Sequence, residues 1–244
     1  CFNIIANKIQ INNEVRMNIS NKKALVFGGT SGIGLSTCDL LVEKGAEVVA
    51  LSRDPEKAKG KSHNKVTLEK CDVREVDQLD QVFKKYAPYD ILVSAATGGS
   101  RAAGAFLEMD MQGFRSSFDK LWGYANVIRH GTEHLSECGS MVLVSGAPAR
   151  KTKPGMVTLS VVGGAVENLV RAAALEMPPK RINLVSPGII DTPLFPQKGE
   201  EREQLIKNLT TNHSIKRAGT PEEVATAIIF LIENDFVNGT TVDV

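Results

Sequence analysis

The chain has 244 residues, of which 42% are hydrophobic, and its 29 Lys and Arg against 28 Asp and Glu leave a formal net charge of +1. That length buries one large core, no Pro-, Ser- or Gly-rich linker divides it, and the interspersed charges offer neither a basic face for nucleic acid nor a polybasic patch for a membrane. The longest apolar runs are those of a strand or a helix, short of a bilayer span, and Cys1, Cys38, Cys71 and Cys138 follow no metal or disulfide spacing, as expected of reduced thiols in a cytoplasmic protein.

Residues 1–16 lack the apolar stretch and small-residue cleavage site of a signal peptide and read as an N-terminal extension of unclear origin, ahead of a single domain over 17–244. The first strand is expected near 23–28. It runs into Gly28-Gly29-Thr30-Ser31-Gly32-Ile33-Gly34 and a helical pattern over 32–44. A glycine turn between a strand and a helix is a phosphate cradle: it turns tightly, lets the backbone approach a pyrophosphate and aims free N–H groups and the positive helix end at the anion. A second strand near 47–52 follows at the spacing of one βαβ unit.

Further strands are expected near 65–70, 89–95, 140–145, 181–186 and 240–244, and helices near 75–86, 112–136, 156–177 and 221–233. Alternating strands and helices predict an α/β protein with a doubly wound, mostly parallel sheet of seven strands, a Rossmann fold. Thr220-Pro221-Glu222-Glu223 marks the last helix start, with a Thr cap, proline in the first turn and acids behind it. The polar, proline-punctuated stretch 193–219 reads as a long loop serving as a lid. The helix near 156–177 is apolar on nearly every side, so it is expected to be buried all round, its Gly163-Gly164 pair allowing another backbone to come close.

The glycine turn, Cys71-Asp72-Val73, Ser145, Ser186-Pro187-Gly188-Ile189-Ile190-Asp191-Thr192 and Arg217-Ala218-Gly219-Thr220-Pro221-Glu222-Glu223 occur in one consistent order over about 22–244. In this the chain resembles the short-chain dehydrogenases/reductases. The resemblance implies that Gly28, Thr30, Ser31, Gly32, Ile33 and Gly34 hold the pyrophosphate and adenosine side of a nicotinamide dinucleotide. It implies further that Asp72 and Val73 flank the adenine, that Ala95 and Ala96 after the fourth strand also bind the cofactor, that Ile190 and Thr192 meet the nicotinamide carboxamide, and that Pro187 and Gly188 shape the floor beside it. It also implies a small-molecule substrate and a homodimer or homotetramer built on the long helices, with no nucleic-acid or membrane partner.

At the end of the second strand an acid would bind ribose hydroxyls and repel a 2′-phosphate. Here Leu51-Ser52-Arg53 offers a hydroxyl and a guanidinium instead, which favours NADP(H). The family's catalytic set is altered. Ser145, which orients a carbonyl, is in place, but Thr158 stands at the position of the proton-donating tyrosine, Val162 at that of the lysine behind it, and Lys120 at that of an asparagine. The segment after the fourth strand reads Ser94-Ala95-Ala96-Thr97. Lys120 admits two readings: a partly desolvated amine that replaces the missing proton donor, or a solvated helix-surface residue. The candidate catalytic residues are therefore Ser145 and Lys120, with no metal.

Arg150, Lys151 and Lys153 read as surface charge, or as a site for an acidic substrate. His130-Gly131-Thr132-Glu133-His134 matches one zinc-protease pattern, but it falls on a sheet-packing helix and reads as surface or interfacial histidines. The function expected is an NADP(H)-dependent oxidoreductase with a non-standard proton donor. Its alternatives are an inactive NADP(H)-binding sensor or partner subunit, and non-redox chemistry on the same scaffold.

Overall fold

The computed structural model describes residues 17–97 and 101–244; the expected extension over 1–16 lies outside them. In chain order the elements are β1 (Lys23–Phe27), α1 (Gly32–Glu43), β2 (Glu47–Ser52), β3 (Val66–Lys70), α2 (Val76–Tyr86), β4 (Tyr89–Ser94), α3 (Met111–Ser116), α4 (Asp119–Gly131), β5 (Leu135–Val144), α5 (Val157–Glu176), β6 (Arg181–Ser186), α6 (Gly199–Thr210), α7 (Pro221–Glu233) and β7 (Thr241–Asp243). The strands form one sheet in the order β3-β2-β1-β4-β5-β6-β7. Every pair is parallel, with Phe27 opposite both Leu51 and Ser94.

Both faces of the sheet are covered, so its strands are apolar on both sides rather than alternating. Leu25, Phe27, Leu92, Leu143 and Leu184 point to the side packed by Phe83 of α2, Tyr124 and Val127 of α4, and Val166 and Val170 of α5. Ala24, Val26, Val93, Val142 and Val185 point to the other, against Cys38 and Leu41 of α1 and Val224 and Ile228 of α7. Each fully buried aliphatic side chain contributes about 1.5–3 kcal/mol through its removal from water. Thr220 caps the start of α7 as expected, and Glu223 answers it to close a reciprocal capping box.

Three expectations need correction. The single helix over 112–136 is two helices and the start of a strand. Asp110 caps α3 by accepting from Gln112 N at 3.1 Å and Gly113 N at 2.8 Å. Ser117 then turns its hydroxyl to the Gly113 carbonyl at 2.9 Å and accepts the Ala102 N–H at 2.8 Å, so the chain resets its axis before α4. Beyond α4 a single tight turn, Thr132–His134, leads straight into β5, whose Leu135 is buried and pairs with Tyr89. The stretch 193–219 contains α6, with Glu200 and Glu201 in its first turn and Lys207 in its last, where the helix dipole favours them.

Finally, α5 is not buried all round. Val162, Val166, Val170 and Ala174 face the core, while Val161 is 44% and Leu175 82% exposed. By length and composition α5 could cross a bilayer, but its buried stripe packs on the sheet. The close approach expected at the glycine pair occurs within the chain at Gly163, where a Cβ would come 2.9 Å from Ala149 Cβ, whereas Gly164 faces open space.

Candidate active site

Strand order reverses at β1, with β2 on one side and β4 on the other, which opens a crevice at the carboxyl ends of the strands where α/β sheets bind dinucleotides. The glycine turn sits at that crevice. Gly28 has φ +75°, and a Cβ there would lie 2.8 Å from the Ala95 carbonyl carbon and from Ala96 N, so the turn packs directly on the peptide after β4. A Cβ on Gly34 would run into the Gly28 carbonyl oxygen, so only glycine lets α1 begin so close to the turn. Thr30 is buried, and Ser31 stands at the N-cap of α1 without spending its hydroxyl on the helix. No acid occupies the first turn of α1, which leaves its positive end uncompensated. Ile33 is half-buried behind it. This cradle fits a pyrophosphate.

At the edge beyond it, Ser52 Oγ accepts the Asp54 N–H at 3.2 Å and Arg53 is exposed. The Asp72 carboxylate is gripped by Arg74, through Nε at 3.1 Å and Nη2 at 2.7 Å, and Arg74 also reaches Asp119 at 3.2 Å. That Arg74 pairing holds the Asp72 carboxyl below its usual range, and the charge of Arg53 adds to it. Val73 is buried and packs on Gly123 of α4. Arg74 escaped the sequence reading because its partners lie in two separate elements.

On the far side of the crevice Pro187 O accepts the Ala147 N–H at 2.8 Å and Gly188 donates to Val244 O at 2.7 Å. Ile190 is buried against the bridge to Gly219, and Thr192 lies 3.3 Å from where a Gly32 Cβ would be. The segment carrying Thr192 is tied down from α6. Arg202 donates to Thr192 O at 2.9 Å and to Gln197 O at 3.3 Å, and also reaches the Phe195 carbonyl and the Asp191 carboxylate. The expected lid is thus a strapped helix rather than a bare loop.

The altered catalytic positions are also accounted for. Thr158 is 1% exposed, and its Oγ1 lies 3.2 Å from Met109 Sδ. Val162 is buried. Ser145 is half-buried, with Oγ 3.4 Å from Gly163 O, a weak bond that leaves the hydroxyl free to turn to a ligand. Lys120 points its amine inward: Nζ donates to Ser145 O at 3.3 Å and lies 5.4 Å from the centre of the Tyr124 ring. Desolvation first, and then the charge of Arg101, lower its pKa from the usual 10.5 to about 7. The solvated-surface reading of Lys120 does not match this placement. Of the basic residues after Ser145, Arg150 is committed to Glu167 at 3.1 Å and to Asp243. His130 Nδ1 pairs with Asp80 at 2.9 Å, and no metal-holding cluster occurs among the described residues.

A family model described as enoyl-(acyl carrier protein) reductase matches residues 28–244. Tropinone reductase-like 3 of Erythroxylum coca is 30% identical over 240 residues, covering 91% of this chain and 90% of its own length. Carbonyl reductase [NADPH] 2 of Sus scrofa is 26% identical over 228 residues, covering 90% and 92%. Among solved structures, one described as a short chain dehydrogenase/reductase family protein superposes with a TM-score of 0.81 at 30% identity, covering 93% of this chain and 97% of its own.

Proposed function

The chain belongs to the short-chain dehydrogenase/reductase family of oxidoreductases, and we propose that it uses NADP(H) to interconvert a carbonyl and an alcohol, with Lys120 as the proton donor. When bound, the nicotinamide exchanges a hydride with the substrate carbon. Gly28, Thr30, Ser31, Gly32, Ile33 and Gly34 hold the pyrophosphate; Asp72, Val73, Ala95 and Ala96 border the adenosine; Pro187, Gly188, Ile190 and Thr192 border the nicotinamide. Arg53 and Ser52 meet the 2′-phosphate, a reading supported by Ser52 rather than an acid at the last position of β2 and by the NADPH named for the porcine relative.

The placement of Lys120 carries the catalytic assignment. All three tyrosines are spent elsewhere: Tyr86 bonds Glu69 at 2.7 Å, Tyr89 bonds Gly131 O at 2.6 Å, and Tyr124, buried, bonds Val144 O at 2.7 Å. Burial pushes the Tyr89 and Tyr124 phenols well above their usual range, which makes them poor acids. Thr158 is sealed under Met109. Lys120 remains, beside Ser145, with an acidity matched to neutral pH. In the reductive direction Ser145 Oγ–H holds the carbonyl oxygen while its carbon gains the hydride. Lys120 Nζ then gives that oxygen a proton, becomes a neutral amine and is recharged from water.

The sealing of Thr158 also favours a second reading, a protein that binds NADP(H) without turning it over. Binding and turnover measured side by side separate the two: NADPH titrated by nicotinamide fluorescence, and NADPH consumption over a panel of carbonyl compounds. Consumption that disappears in Lys120→Ala while NADPH still binds supports the catalytic reading; binding with no consumption over the panel supports the sensor. Arg53→Ala is expected to narrow the preference for NADPH over NADH about tenfold or more, since charge-assisted bonds contribute about 1.5–3 kcal/mol.

We further infer self-association as a homodimer or homotetramer through α4 and α5, supported by exposed Trp122, Val161 and Leu175. A reducing, cytoplasmic setting is supported by the buried thiols Cys38 and Cys71.

A further inference from the structure

The loop between β4 and α3 borders a cavity of about 430 Å³, walled by Ala102, Ala103, Gly104, Ala105 and Gly113, with Met109 as its largest side chain. Two hydrogen bonds hold this loop against the elements that frame the crevice. Ala102 N donates to Ser117 Oγ at 2.8 Å, three residues before Lys120, and Gly104 N donates to Gly155 O at 3.1 Å, three residues before Thr158. Phe106 packs edge-on against Phe114 at 5.8 Å, and Phe114 against Phe118 at 5.4 Å, so the loop is braced on α3 and on the approach to α4 as well.

Met109 is the residue that the cavity shares with the crevice. It lines the cavity, and its Sδ lies 3.2 Å from Thr158 Oγ1. Thr158 stands one turn before Val162 on α5, and the carbonyl of the following residue, Gly163, lies 3.4 Å from Ser145 Oγ. The thioether thus fills the gap between the cavity and the part of α5 that reaches Ser145. The alanines and glycines of the wall cannot do so, because none extends past a Cβ. An unbranched methionine suits this duty, since it adapts its shape to an irregular gap. Glu108 and Asp110 also border the cavity, and Asp110 spends its carboxylate on the N-cap of α3. Their charge opposes an anionic guest.

We propose that Met109 sets the size of the substrate. Its side chain partitions the cavity from the crevice, so that the crevice takes carbonyl compounds with small substituents. Shortening it joins the two spaces and admits an uncharged, ring-sized group, for which the cavity has room: ligand sites commonly span about 300–1,000 Å³. The reaction performed on such a substrate rests on the oxidoreductase reading, whereas the partition does not. Because the partition acts through volume, a side chain of similar size at 109 preserves it.

The test uses acetone and naphthyl methyl ketone as probes. NADPH consumption gives the ratio of kcat/KM for the two ketones, and calorimetry gives the affinity for naphthyl methyl ketone independently of turnover. Met109→Ala is expected to raise both the naphthyl-to-acetone ratio and the naphthyl affinity at least tenfold. Met109→Leu should leave both within about twofold of wild type, and Ala105→Phe, which refills the cavity from an exposed position of its wall, should cancel the gain when added to Met109→Ala. Circular dichroism checks that each variant is folded. Met109→Val, a milder shortening, is read in the same way where Met109→Ala does not fold. A ratio and an affinity unchanged on shortening, an equal gain in Met109→Leu, or a gain that survives Ala105→Phe overturns the proposal. Affinities that follow the expected pattern while no variant reduces either ketone refute the oxidoreductase reading and uphold the partition.

Discussion

Replacing Lys120 with methionine removes a poorly hydrated ammonium while keeping most of its length, and the stability change is expected to depend on pH in one direction. In the folded protein Lys120 titrates near 7 rather than 10.5. The folded pKa is lowered, so the unfolded chain binds more protons between these values and wild-type stability rises with pH across that window. Below pH 7 both states carry the charge and the full penalty is present; near pH 10.5 it is gone. A depression of that size corresponds to at most about 5 kcal/mol at 1.36 kcal/mol per unit. Lys120 keeps some contact with water, so screening reduces the penalty to about 2 kcal/mol. Methionine should therefore raise Tm at pH 6 by about 4–8 °C for a chain of this size, and by little at pH 9.5. Thermal unfolding of both proteins across pH 6–9.5, followed by circular dichroism, is the assay. A Tm difference that stays constant over this range, or a destabilised variant at pH 6, would refute the claim that Lys120 is held against its charge.

Gly34→Ala is expected to abolish NADPH binding and to cost several kcal/mol of stability, because the new methyl meets the Gly28 carbonyl oxygen rather than a side chain that can move; denaturant unfolding and a fluorescence titration check both. Arg202→Ala cuts the ties between α6 and the strand-end segment 191–197, so the region should exchange its amide hydrogens faster and KM should rise while NADPH affinity falls less. Gly164→Glu separates the protomer from an assembly. Among the described residues nothing beyond its own helix turn lies within 4 Å of a Cβ there, so the protomer should fold normally, whereas an interface over α5 would bury an unpaired carboxylate and dissociate on light scattering.

The parallel sheet and the glycine cradle were legible because each rests on local chemistry: continuous apolar runs for doubly covered strands, and glycines where the Gly28 and Gly34 backbones leave no room for a methyl. The Thr220–Glu223 capping box is local in the same way. What stayed hidden depends on distant partners. The break between α3 and α4 is set by Ser117 answering Ala102 across 15 residues. The sealing of Thr158 by Met109 spans 49. α6 was missed because its apolar positions are few and its polar faces read as a loop, although its first-turn acids and last-turn lysine were visible signals.

The three altered positions in the crevice make better sense together than singly. Val162 is buried on α5, so a lysine at that position would have to bury a second ammonium in the same core layer. With valine at 162, the amine set against the Ser145 carbonyl is that of Lys120 on α4. On the proposed reading of Lys120 as proton donor, that position gives the amine a different chemical duty. A lysine that assists a tyrosine needs only to stay charged, and its full basicity serves that purpose. A lysine that must itself give up a proton near neutrality has to be made more acidic, and desolvation beside a second cation does so. Val162 carries no polar atom, and Thr158 turns its hydroxyl to Met109 Sδ. On this account restoring tyrosine at 158 alone would not recover an ordinary active site, because the new phenol would face a buried position roofed by Met109 and would have no lysine behind it.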